Sequence, residues 1–206
     1  IIHKTIRYCV IKTKKETRKS EITKNEYFRN LVLKSSNNNI KFKYVLADNW
    51  FGSKENMEFL HNMNKLFIIG IKSNRTIALN KEDKLNGKFT QVQSIDIKED
   101  IATTVWLKGI DFPLTLIKKV FKNENGTEGI LHLISNDLKH DADHIYSIYQ
   151  KRWDIEVYHK SIKQNSSLAK SPTKVVRSQS NHIFASIVGY CKLQALRITS
   201  SLNHFA

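Results

Sequence analysis

Apolar positions along this chain follow two periods, and the change from one to the other outlines its architecture. In Thr23–Lys34, Tyr27, Leu31 and Val32 share one helical face, and Thr23-x-x-Glu26 resembles a capping box, so a helix is expected. Apolar runs at 42–47 and 66–71 read as strands flanking an amphipathic helix over 54–63, where Met57, Phe59 and Leu60 are apolar. Residues 3–12 read as a further strand, and this alternation of strand and helix predicts an α/β sheet. From Ser73 to about Asn136 the pattern changes to short strands at Phe89–Ile97, Thr103–Leu107, Leu114–Phe121 and Gly129–Ile134. They are punctuated by Asn86-Gly87, Lys108-Gly109 and Asn125-Gly126, pairs that favour hairpins. Ile145–Lys163 reads as a helix, and Ser171-Pro172 as the N-cap and first position of a long helix reaching roughly Thr199. The apolar residues of that last helix, Val175, Val176, Ile183, Phe184, Ile187, Val188, Leu193 and Leu196, are expected to pack it beneath the sheet.

Charge changes the picture more than composition does. Thirty-four Lys and Arg against nineteen Asp and Glu give a net +15, the excess expected of a protein that neutralises phosphates. The basic residues gather in Lys12–Lys19 and along Lys163, Lys170, Lys174 and Arg177. With 40% apolar residues, the 206-residue chain can bury a sizeable core. No apolar run approaches the length of a membrane span, so a membrane partner is not expected. Cys9 and Cys191 form no metal-ligand or redox spacing, which fits a reduced, cytoplasmic setting.

The candidate chemistry lies in Ile145–Lys163. Tyr149, Arg152, Glu156 and Lys163 are separated by offsets of three, four and seven, which in a continuous α-helix places all four within an arc of roughly 60°. A carboxylate flanked by a phenol, a guanidinium and an ammonium suits phosphodiester chemistry, because the cations and the phenol can grip phosphate while the acid binds metal. Such a face can equally be a solvated one whose ion pairs contribute only a few tenths of a kcal/mol. A second acid, Asp48, ends the apolar run before Gly52-Ser53 and the 54–63 helix; carboxyl ends of strands are where α/β sheets expose reactive groups. Turn or N-cap service is the simpler role for an Asp there.

The spacing Tyr149-x2-Arg152-x3-Glu156-x6-Lys163, with Trp153 after the arginine, resembles the Y-R-E-K signature of cut-and-paste DDE transposases of bacterial insertion sequences. The segment 43–60 (KYVLADNWFGSKENMEFL) is similar to that family's second acidic strand, and the resemblance runs through nearly the whole chain. It implies a ribonuclease-H-like mixed sheet with helices, interrupted by a β-rich insertion. Asp48 and Glu156 would then be the second and third metal-binding and catalytic carboxylates, and Tyr149, Arg152 and Lys163 would contact DNA. The implied cofactor is Mg²⁺, with Mn²⁺ as substitute. The implied partners are transposon-end and target DNA, with a homodimer when intact and a nucleoid-associated location. The family's first acid lies on an opening strand, and no acid here resembles it; Ile1–Lys12 is similar to the third strand. The chain is therefore expected to be amino-terminally truncated, with opening strands missing and catalysis incomplete. The expected organisation is 1–72 as partial core with the second acid, 73–136 as β insertion and 137–206 as a helical return carrying the third acid. Two other readings stay open: a non-catalytic DNA-binding remnant, and a basic RNA- or ribosome-associated protein whose acids are structural.

Overall fold

A computed structural model of the chain describes residues 22–123, 126–171 and 175–200. The expected strand at 3–12, the basic run Lys12–Lys19, Pro172 and Lys174 lie outside the described residues. The described chain divides into two compact units, one ending at Arg152 and one beginning at Trp153.

The first unit opens with helix α1, Lys24–Asn37. Its start is fixed reciprocally: Thr23 N donates to Glu26 Oε2 at 2.6 Å, and Glu26 N donates to Thr23 Oγ1 at 3.2 Å. Strand β1 (Tyr44–Ala47), helix α2 (Lys54–Asn62) and strand β2 (Leu66–Ile71) form a parallel crossover, with Tyr44 opposite Leu66 and Ala47 opposite Ile69. Then come β3 (Thr76–Ala78), helix α3 (Lys81–Leu85), β4 (Thr90–Gln91), β5 (Thr103–Leu107), β6 (Leu114–Lys122), β7 (Glu128–Ser135) and helix α4 (Ala142–Gln150). The sheet order is β1-β2-β7-β6-β5-β3-β4. β7 runs antiparallel between β2 and β6, so the segment 73–136 and the β1–β2 pair share one sheet. The architecture is α/β, a mixed seven-stranded sheet with helices, consistent with the ribonuclease-H-like fold.

Alternation along β2 builds the core. Phe67, Ile69 and Ile71 join a cluster that takes in Met57 and Leu60 of α2, whereas Ile68 joins a second cluster with Ala142, Ile145 and Tyr149 of α4. Successive side chains of a strand point to opposite faces, and both faces of β2 are therefore covered.

The structure corrects several expectations. Phe89–Ile97 is not one strand: only Thr90–Gln91 pairs, and Val92–Ser94 forms a 3-10 turn. Asn86-Gly87 closes helix α3 instead of a hairpin; Asn86 caps the helix and Gly87 takes φ +67°, which suits a helix end as well as it suits a hairpin turn. The helix expected over Ile145–Lys163 is interrupted, since α4 stops at Gln150 and a 3-10 turn covers Lys151–Trp153.

In the second unit, helix α5 (Asp154–Asn165) is followed by a 3-10 turn at Leu168–Lys170 and by helix α6 (Val176–Thr199). Tyr158 and Tyr190 meet edge-on at 4.9 Å between ring centroids, joining α5 to α6. The long helix starts at Val176, with Val175 extended as its N-cap. Val175, Val176, Phe184, Val188 and Leu196, expected to be packed away, are exposed; apolar residues spread over neighbouring stripes of α6, more than one contact face covers. Among the described residues no helix is long and apolar enough to cross a membrane.

Candidate functional site

Strand β1 delivers Asp48 to the carboxyl edge of the parallel pair and then stops. Asp48 is exposed, extended (φ −78°, ψ 177°), and caps the 3-10 turn Asn49–Phe51 by accepting from Trp50 N on Oδ1 at 3.0 Å. The capping role considered from sequence is real, and it leaves Oδ2 without a hydrogen bond among the described residues. Capping thus orients the carboxylate without using it up.

Two glycines allow this turn to press against β2. A Cβ on Gly52 would lie 3.2 Å from Gly70 O, and a Cβ on Gly70 would lie 3.2 Å from Asn49 N and 3.5 Å from Tyr149 Oη. Behind the turn, Phe51 stacks on Phe28 of α1 with centroids 5.0 Å apart. The buried Asn56 ties the same turn down: its Nδ2 donates to Phe51 O at 2.9 Å and to Asn25 Oδ1 at 2.9 Å, while Arg29 Nη1 donates to its Oδ1 at 2.8 Å. The backbone carrying Asp48 is held from three sides.

Tyr149 comes to this edge from α4. Its ring is buried in the α4 cluster, where it serves as apolar surface against Ile68 of β2. Burial pushes its phenol pKa up, Arg152 pulls it back through charge and a hydrogen bond, and the negative Asp48 adds to the rise. Arg152 sits with Cζ 5.6 Å from the Tyr149 ring centroid. Asp48, Tyr149 and Arg152 thus form one electrostatically linked group in the first unit.

Glu156 and Lys163 belong to the second unit, where both are exposed on α5. Glu156 lies in the first turn and Lys163 in the last, the favourable ends for their charges relative to the helix dipole. Because the 3-10 turn precedes α5, the offsets from Tyr149 and Arg152 to Glu156 and Lys163 do not follow one 3.6-residue period.

Sequence reasoning passed over the neighbours of Asp48 on the same edge. A groove of about 630 Å³ next to Asn49 is lined by Lys72, Ser73, Gln93, Lys118 and His132 among others. Burial, then the charge of Lys118, pushes the His132 pKa down, so its imidazole is neutral near pH 7. Lys118 and His132 are directly paired across β6 and β7, a register that no local pattern announces. No group of three or more His, Cys, Asp or Glu able to hold a metal forms among the described residues. The exposed Asp48 carboxylate fits as one hard-oxygen ligand, since Mg²⁺ is often held by one or two carboxylates together with substrate phosphate.

The family profile described as "Transposase DDE domain" matches residues 12–191 of this chain. The chain belongs to the transposase DDE domain family. Membership supports a transposase function, with DNA as the substrate of the family and a divalent metal as its general cofactor. No curated protein matches the chain.

Proposed function

We propose that this chain serves DNA transposition by an insertion-sequence element, with Asp48 and Glu156 as metal-binding acids and Tyr149, Arg152 and Lys163 as the DNA-holding residues. The observation that carries the reading is the exposed, backbone-anchored Asp48 carboxylate at a strand end, beside Arg152 and Tyr149, in a chain of this family. Bound Mg²⁺ or Mn²⁺ would supply charge stabilisation at a DNA phosphodiester undergoing cleavage or strand transfer. Arg152 offers a planar fork to phosphate oxygens and Lys163 a mobile point charge. Tyr149, being buried, holds DNA indirectly, by positioning Arg152 beside its ring. In this reading the transposase works as a homodimer on transposon ends and target DNA, within the nucleoid.

No acid in this sequence resembles the family's first one, so the chain by itself binds DNA without cutting it. Titration of the 206-residue chain with Mn²⁺ should show weak binding that Asp48→Asn and Glu156→Gln each diminish, and gel shifts should show DNA binding that falls steeply with salt. Equal metal binding by wild type and both variants would remove the acids from their assigned role. Cleavage of DNA by the purified chain, lost in Glu156→Gln, would show that the site is complete as it stands.

A further inference from the structure

The loop between β7 and α4 carries a histidine that the Asp48 edge does not use. His140 is partly buried, and its Nδ1 lies 2.7 Å from Oδ2 of the buried Asp137. An ionised carboxylate only accepts, so the ring hydrogen is on Nδ1 and the Nε2 lone pair is left for a ligand. Asp137 is itself held in place. Tyr44 Oη donates to the same Oδ2, Lys139 N donates to Oδ1 at 3.0 Å, and Asp137 N donates to Ser135 Oγ at 3.0 Å. In the first turn of α4, His144 stacks its ring on that of His140, with centroids 4.2 Å apart and planes 16° from parallel.

We propose that His140 and His144 bind a divalent metal of the zinc class, with Asp137 orienting the first imidazole from behind. The site goes beyond the DNA-processing reading and does not depend on it. A ligating histidine is typically anchored by a hydrogen bond from its other nitrogen to a carboxylate, which fixes its tautomer and direction. Asp137 and His140 are arranged in this way. Two zinc–nitrogen bonds of about 2.1 Å span about 4 Å, so the 4.2 Å separation of the rings puts both within reach of one ion. Stacked rings aim their lone pairs side by side, and His144 therefore turns out of the stack to meet the metal. Its ring is exposed, and its hydrogen bonds among the described residues run through its backbone N and O, which leaves the side chain free to turn. Water completes the coordination, so binding is weaker than in a closed structural site. Imidazole suits zinc, nickel or copper(II), whereas magnesium prefers oxygen, and the ion bound here is distinct from one at Asp48.

The test uses the 206-residue chain with Cys9→Ser and Cys191→Ser, so that no thiol competes for the metal. One equivalent of Zn²⁺ should shift the imidazole nitrogen resonances of His140 and His144 and leave in place those of His61, which stacks on Phe112. His144→Ala, at an exposed position, should weaken Zn²⁺ binding about tenfold by calorimetry, because the second imidazole no longer adds to the first. His61→Ala should leave that affinity unchanged. Asp137→Asn keeps both imidazoles and should still cost about tenfold. A large excess of Mg²⁺ should not displace the Zn²⁺. Full-strength Zn²⁺ binding in His144→Ala, shifts confined to other histidines, displacement by Mg²⁺ or failure to bind Zn²⁺ overturns the site and leaves the DNA reading intact. Unchanged affinity in folded Asp137→Asn overturns the orienting role of that acid.

Discussion

Arg152 places its guanidinium carbon 5.6 Å from the ring centroid of Tyr149, and the same phenol feels the charge of Asp48. One buried ring therefore links the residue assigned to phosphate with the residue assigned to metal. A guanidinium over an aromatic face is pre-organised, which lowers the entropic cost of presenting its donors to a phosphate.

Arg152→Ala in the 206-residue chain should weaken DNA binding about tenfold and reduce the steepness of its salt dependence by about one phosphate contact. Arg152→Lys should not restore affinity, since an ammonium lacks the planar fork. Lys81→Ala, on exposed α3, is the comparison. Equal losses from Arg152→Ala and Lys81→Ala would indicate diffuse attraction instead of a defined contact.

Gly70→Ala should destabilise the fold by about 1–3 kcal/mol, because its methyl would press on Asn49 N at 3.2 Å and on Tyr149 Oη at 3.5 Å. Urea unfolding reads the loss. Gly87→Ala meets no atom within 4 Å, and its cost comes only from φ +67°, so it should be milder.

Asn56→Ala should cost about 1–3 kcal/mol by leaving Arg29 and Phe51 O without their partner. The turn bearing Asp48 should loosen with it, visible as faster amide exchange at Trp50 and Phe51. Protected amides in the variant would show that Phe51 stacking alone holds the turn.

Asp137 sits in a buried network at the opposite edge of the sheet, taking hydrogen bonds from Tyr44 Oη, Lys139 N and His140 Nδ1. Burial works to raise its pKa, but these hydrogen bonds outweigh it and hold the carboxyl below its usual value of 3.8. The unfolded chain consequently takes up this proton first as pH falls. The stability Asp137 contributes is present above about pH 4 and disappears as pH drops through the lower folded value. Asp137→Asn should flatten the acid limb of a stability-against-pH curve below about pH 4 while lowering stability at neutral pH. An unchanged acid limb would place the titration elsewhere.

Local sequence determined much of this protein. The capping box at Thr23 and Glu26, the run preceding Asp48, the strands at 66–71 and 103–107 and the amphipathic α2 depend on neighbours a few residues apart, and each formed where its pattern predicted. The signature spacing in 149–163 led to the family, because a motif records residue order whatever the backbone does between its members. Tertiary structure decided the rest. The 3-10 turn at Lys151–Trp153 breaks the helical period that the spacing invites, and Tyr149 is drawn inward because β2 needs cover on that face. Lys118 and His132 meet through strand register, and Gly70 admits the Asp48 turn through close backbone approach. Sequence cannot say which of two adjacent aromatics, Trp50 and Phe51, a tight turn will bury. That choice was made by Phe28, more than twenty residues earlier in the chain, which took Phe51 as its partner and left Trp50 in solvent beside the acid.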